Sequence, residues 1–150
     1  MTKLFHATKP HVAVFGEKDY QQLAVVRQMV RDLNLPLDIV GMPTVRESDG
    51  LAMSSRNAYL SIEHRQIAPT IYRVITKVAE AAGRGAPVEA IVQGKSTLEA
   101  AGFKVDYLDV RDAETLKPVA ADGQRPMRVL VAAWLGKTRL IDNIALSAAG

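Results

Sequence analysis

The 150-residue chain contains no cysteine. Disulfides, cysteine nucleophiles and thiolate metal sites are therefore excluded. Aromatic residues are few, at 5%, with a single tryptophan. No apolar run approaches the roughly 20 residues of a membrane span, so no membrane partner is expected. Met1-Thr-Lys-Leu-Phe-His lacks the long apolar core of a signal peptide. The expectation is a soluble, cytoplasmic protein. There is also no dense run of Lys or Arg. The net charge is +3, but residues 1–60 hold 7 Lys/Arg against 6 Asp/Glu, and residues 61–150 hold 12 against 10. Positive charge that is not segregated argues against a nucleic-acid surface. A small anionic ligand is at least as good a partner. What is present is globular: 48% hydrophobic and 23% charged residues argue against disorder, collagen and coiled coil.

The order of patterns predicts an α/β fold. His11–Phe15 is a short apolar run ending at Gly16 and reads as a buried strand. Residues 18–34 have helical spacing, with Leu23, Val26, Val30 and Leu33 on one face. Asn34 and Pro36 stop that helix. Leu37–Val40 is a second strand, closed by Gly41 and Pro43. Strand, helix and strand make a βαβ unit with parallel strands. Thr44–Asn57 has no apolar period and reads as a loop, with its turn at Ser48-Asp49-Gly50. Ser61 is placed as an N-cap. Ile67, Ile71, Val74, Ile75 and Val78 recur at helical spacing. Pro69 either kinks that helix or begins a second one. Pro87 opens a helix that runs to about Ala101, stops at Gly102 and is weakened in its middle by Gly94. Val105–Val110 alternates as a strand. Asp122-Gly123 reads as a turn, Met127–Trp134 as a strand, and Gly136-Lys137 as a hairpin turn into Thr138–Ile144. Residues 1–58 and 59–150 are expected to be separate parts. The second is a small α+β domain with helices on a three-stranded antiparallel sheet.

Two loops carry groups suited to anions. Phe15-Gly-Glu-Lys-Asp-Tyr-Gln-Gln22 joins strand to helix, where open α/β sheets bind ligands. Gly16 permits close approach of a ligand to the backbone. The first helical N–H groups are unpaired and favour negative charge. Lys18 adds a mobile cation, and Asp19 caps the helix or takes a ribose hydroxyl. Gln22 lies one turn on. A capped helix with solvated charges explains the same residues equally well. Asp49-Gly-Leu-Ala-Met-Ser-Ser-Arg-Asn57 groups two hydroxyls with a guanidinium, a set that neutralises charge as a phosphoanhydride breaks. A polar loop whose serines cap the next helix is its bland alternative. His6, His11 and His64 have no metal spacing, so no protein metal site is expected. His64 reads as a surface helix residue. Trp134 and Leu135 read as packing in the small sheet, and Asp142-Asn143 as a strand-end turn.

These residues resemble the pantothenate synthetase (pantoate–β-alanine ligase) family along essentially the whole chain. Phe15–Leu23 resembles a motif in the later part of that family's Rossmann-like nucleotidylyltransferase domain. Asp49–Asn57 resembles its second signature, a relative of the Lys-Met-Ser-Lys-Ser loop of class I aminoacyl-tRNA synthetases. Val131–Asn143 is similar to its closing strands. The resemblance implies a ligase of pantothenate biosynthesis that joins pantoate to β-alanine, using ATP with Mg²⁺ through a pantoyl adenylate, and it implies a homodimer. It implies ATP contacts at Gly16, Glu17, Lys18, Asp19, Val45, Met53, Ser54, Ser55 and Arg56. Lys18, Ser54, Ser55 and Arg56 would serve the reaction, and Gln22 would contact pantoate. The family's His-x-Gly-His half has no counterpart here, since no two of the three histidines are three residues apart. The resemblance therefore implies a truncated chain, a proteolytic fragment or the product of a split gene, inactive by itself. A non-catalytic nucleotide- or RNA-binding module is the alternative.

Overall fold

The computed structural model describes residues 2–118 and 126–146. The turn expected at Asp122-Gly123 lies outside them. The chain forms two compact units, Met1–Thr44 and Val45–Gly150. The loop 45–58 thus groups with the second unit rather than with the first, as the expected division at 58/59 had it.

In the first unit, helix α1 (Thr2–Thr8), strand β1 (Val12–Gly16), helix α2 (Tyr20–Asp32) and strand β2 (Asp38–Met42) follow one another. β1 and β2 pair in parallel, with Val14 opposite Val40 and Gly16 opposite Met42. Helix α2 packs on one face of this pair. A Cβ at Gly41 would lie 3.1 Å from Leu23 Cδ2, so glycine is what lets helix and strand approach. Leu23 and Val26 of α2 and Phe5 of α1 are buried. Two expectations need correction. The strands are not buried on both faces: Val12, Val14, Val40 and Met42 are exposed, because α2 covers the alternate residues only. Leu33 is exposed too, because it follows the last turn of α2 and serves as its C-cap.

In the second unit, a 3₁₀ turn (Ser55–Tyr59) leads to helices α3 (Ile62–Ile67), α4 (Thr70–Gly83) and α5 (Pro87–Ala101). Strands β3 (Lys104–Asp112), β4 (Met127–Leu135) and β5 (Thr138–Ala145) follow. Ser61 caps α3, its hydroxyl accepting from His64 N. Pro69 separates two helices rather than kinking one: α4 begins just after it. Gly102, at φ 109°, is the left-handed C-cap of α5. The sheet is antiparallel in the order β3-β4-β5. The register slips between Val105 and Tyr107, a bulge that leaves Leu108 and Val110 facing the core.

Ile71, Val74, Ile75 and Val78 of α4, Leu98 of α5, and Leu108, Val129 and Val131 of the sheet form one buried cluster. Each such aliphatic side chain contributes about 1.5–3 kcal/mol by leaving water. Gly94 lies where α5 meets β3 and α4. A Cβ there would come within 2.7 Å of Leu108 Cδ2 and 3.0 Å of Val74 Cγ1. Its lower helix propensity is offset by the closeness of packing that it allows.

Candidate functional site

The first anion-suited loop is held by backbone bonds within the first unit. Glu17 N donates to Met42 O at 2.8 Å, which carries the β1–β2 pairing past the strand end. Asp19 is the N-cap of α2, its carboxylate accepting from Gln22 N at 3.2 Å. The capping role weighed from the sequence is therefore real, and it fixes the helix N-terminus beside Lys18. Open space surrounds the site a Cβ would occupy at Gly16, and Gln22 is exposed. Gly16, Glu17, Lys18, Asp19 and Gln22 stand together at the carboxyl end of β1.

The second loop starts from a small hairpin. Met53 N donates to Val45 O at 2.9 Å, and Glu47 N to Leu51 O at 2.8 Å, around a bridge between Arg46 and Ala52. Gly50 closes the turn at φ 94°, and a Cβ there would lie 2.4 Å from Tyr72 Cδ1. Conformation and space both require glycine. Ser54 is the N-cap of the 3₁₀ turn and accepts from Arg56 N at 3.2 Å. Ser55 and Arg56 are exposed. Val45 and Met53 thus face each other at the hairpin base, and Ser54, Ser55 and Arg56 follow directly.

Asp49 braces the turn. It accepts from Leu51 N at 3.2 Å and from Arg65 Nη1 of α3 at 2.7 Å. The hydrogen bond from Arg65 holds the Asp49 carboxyl below its ordinary range, against a smaller opposing effect of desolvation. The same contact raises the Arg65 guanidinium.

The strongest anchor of this loop joins Arg46, which sequence reasoning passed over, to Asp142, which it read as part of a strand-end turn. Arg46 donates to both carboxylate oxygens of Asp142, at 2.6 and 2.8 Å. It also donates to Gly50 O at 3.0 Å, and its guanidinium lies 4.1 Å from the centre of the Tyr72 ring. The Asp142 side chain is 0% exposed, and its Oδ1 accepts from Asn143 N at 2.8 Å. Asn143 Oδ1 accepts from Arg128 Nε at 2.7 Å. Asp142-Asn143 is therefore no strand-end turn. The pair lies inside β5, where a polar dipeptide between Ile141 and Ile144 was the available signal. Buried polar groups need partners, and Arg46 is the one that reaches Asp142.

His64 is half-buried rather than a free surface residue. Its ring packs on the β4–β5 turn, so that a Cβ at Gly136 would lie 2.8 Å from its Cε1. Gly136, at φ 62°, takes the first central position of that two-residue turn, as a type II′ hairpin requires. Trp134 is 38% exposed rather than packed in the sheet; its neighbours Ala133 and Leu135 hold the core face. Among the described residues, no three His, Asp or Glu converge as a metal site, and no helix is long and apolar enough to cross a membrane.

A family model described as pantoate-beta-alanine ligase matches residues 1–145. Pantothenate synthetase from Bradyrhizobium sp. is 55% identical over 147 residues, which make up 97% of this chain and 52% of that protein. The same enzyme from Pseudomonas entomophila is 55% identical, over 97% of this chain and 51% of its own length. The chain thus spans about half the length of the curated relatives it matches. The crystal structure of pantothenate synthetase from Thermus thermophilus superposes with a TM-score of 0.88. It is 49% identical and covers 97% of this chain and 53% of that one. Pantoate-beta-alanine ligase from Francisella tularensis, complexed with beta-gamma ATP and beta-alanine, superposes with a TM-score of 0.67 at 31% identity, over 96% of this chain and 47% of that one. The mixed α/β fold, the order of the motifs and these matches agree: the chain belongs to the pantoate–β-alanine ligase family.

Proposed function

We propose that this chain carries part of the site at which pantoate and β-alanine are joined at the expense of ATP. Residues 1–44 would be the later portion of a Rossmann-like domain for ATP and pantoate, and the unit that begins at Val45 would carry the second ATP loop and a lid. The reading is supported by two loops of complementary chemistry inside a family match that spans residues 1–145. The pantoate carboxylate attacks the α-phosphate of ATP, a P–O bond breaks and pyrophosphate leaves. The β-alanine amine then attacks the carbonyl of the pantoyl adenylate, and AMP leaves. No enzyme nucleophile is needed, because the substrate carboxylate fills that role.

The protein's part is positioning and charge neutralisation. The Gly16 backbone and the α2 N-terminus receive phosphate oxygens. Lys18 and Arg56 neutralise charge on the transferred and leaving groups, and Ser54 and Ser55 donate to phosphate oxygens. Glu17 and Asp19 serve the nucleoside, with Asp19 at the ribose. Val45 and Met53 meet adenine, and Gln22 meets pantoate. Val45 O accepts from Met53 N, which fixes the backbone of the hairpin base proposed to meet adenine. Mg²⁺ would arrive with the triphosphate, whose oxygens are its usual ligands. By itself the chain is expected to bind ATP without turnover.

Calorimetric titration of ATP–Mg²⁺ into the wild type, Lys18→Ala and Arg56→Ala tests the reading. Loss of one charge-assisted contact should weaken binding by about tenfold. Equal affinity in all three would reject it.

A further inference from the structure

The second unit contains a cavity of about 850 Å³ between the 3₁₀ turn and the β4–β5 hairpin. Arg56, His64, Lys137 and Arg139 line it, with Trp134 and Thr138. Among the described residues, its lining includes no Asp or Glu. Arg139 is held in place by Asp106 on β3, at 2.8 Å. Arg56 and Lys137 form no ion pair among the described residues. The imidazole of His64 is fixed by its packing on Gly136.

Three cations line one solvent-open cleft and repel one another, a cost that solvent around the exposed Arg56 and Lys137 lowers without removing. Two of them have no carboxylate among the described residues to balance them. A compact ligand carrying several negative charges removes that cost and bonds to all of them at once. Arg56 presents a planar fork suited to paired phosphate oxygens, Arg139 the edge of its guanidinium that Asp106 leaves open, and Lys137 a compact point charge. A monoanion would leave part of the set unbalanced.

We infer that this cavity binds a condensed phosphate, with Lys137, Arg139 and His64 as its ligands beside Arg56. The inference rests on the proposed reaction for the origin of that ligand, because the reaction has pyrophosphate as its leaving group and Arg56 belongs both to the phosphate loop and to the cavity. The diphosphate is either the tail of bound ATP or the released product.

Trp134 is the only tryptophan and lines the cavity, so its fluorescence reports occupancy. The chain is titrated with inorganic pyrophosphate at fixed ionic strength, by fluorescence and calorimetry together, with ATP and AMP as further arms. Saturable pyrophosphate binding is expected. Its Kd should rise by about tenfold in Lys137→Ala and stay the same in Lys77→Ala, an equal loss of charge on α4. AMP should leave Trp134 unchanged. An ATP response that depends on Lys137 identifies the nucleotide tail, and a response to pyrophosphate alone identifies the product. Absence of saturable binding, or an unchanged Kd in Lys137→Ala, overturns the inference. ATP binding indifferent to Lys18→Ala would instead reject the proposed function while leaving this site standing.

Discussion

Replacing Arg46 by methionine should destabilise the second unit more than any other single change in the loop 45–57. The variant keeps much of the side-chain volume but removes the guanidinium. Asp142 then loses its guanidinium partner with its side chain 0% exposed, and among the described residues Asn143 N alone remains bonded to it. Gly50 O loses its donor, and Tyr72 loses the cation over its ring. Removing one partner of a buried pair costs about 3–5 kcal/mol. A domain is stable by roughly 5–15 kcal/mol in all, so the variant should fold but unfold early. With a urea dependence of about 2 kcal/mol per molar, the midpoint falls by roughly 2 M. Urea unfolding followed by Trp134 fluorescence measures it. The decisive control is Arg46→Met combined with Asp142→Leu, which removes both charges. A buried pair exchanged for apolar groups of similar size is often neutral, so the double variant should be more stable than Arg46→Met alone. A loss under about 1 kcal/mol in the single variant, or strict additivity in the double, would refute the assignment.

Other substitutions test the fold that presents the site. Gly94→Ala should cost about 1–3 kcal/mol in thermal unfolding despite its better helix propensity, because the added methyl meets Leu108 and Val74. Stabilisation would mean that the α5–β3 approach is looser than described. Ser61→Ala removes the cap of α3 and should cost about 1 kcal/mol, measured by the same unfolding. Asp49→Asn should cost less than about 1 kcal/mol at neutral pH, since both members of its pair with Arg65 face solvent. Its carboxyl is held below the ordinary 3.8, so its contribution is present above that value and is lost as the pH falls further. The wild type and Asp49→Asn should therefore converge in acid; a gap that widens there would contradict the pairing.

Punctuation and periodicity carried most of the fold. Pro87 and Gly102 bounded α5, Ser61 marked the start of α3, and Gly136-Lys137 marked the hairpin, because each of these residues has a local conformational reason to sit there. Long-range partners were not legible. Arg46 and Asp142 are 96 residues apart, and no local pattern links them. The exposure of Val12 and Val14 was hidden for a related reason: a strand's own composition does not say which of its faces is covered. Helix α1 had no clear periodicity over its seven residues; it is held by burial of Phe5 and by the Thr2 hydroxyl donating to Met29 Sδ. The two loops were legible as groups suited to anions; Asp19 and Ser54 are caps, and the role toward ATP is proposed for them beside that. Their structural and functional readings are therefore not exclusive. A cap that orders a loop also aims the groups beside it.

Under the proposed reaction these residues would bind an adenylated pantoate in preference to AMP. The direct measurement is calorimetric titration of the chain with a non-hydrolysable pantoyl-adenylate analogue and, separately, with AMP. The account predicts tighter binding of the analogue, since an analogue of a reactive intermediate collects contacts that neither substrate makes alone. It also predicts that Gln22→Ala removes most of the difference. An analogue bound no more tightly than AMP would contradict it.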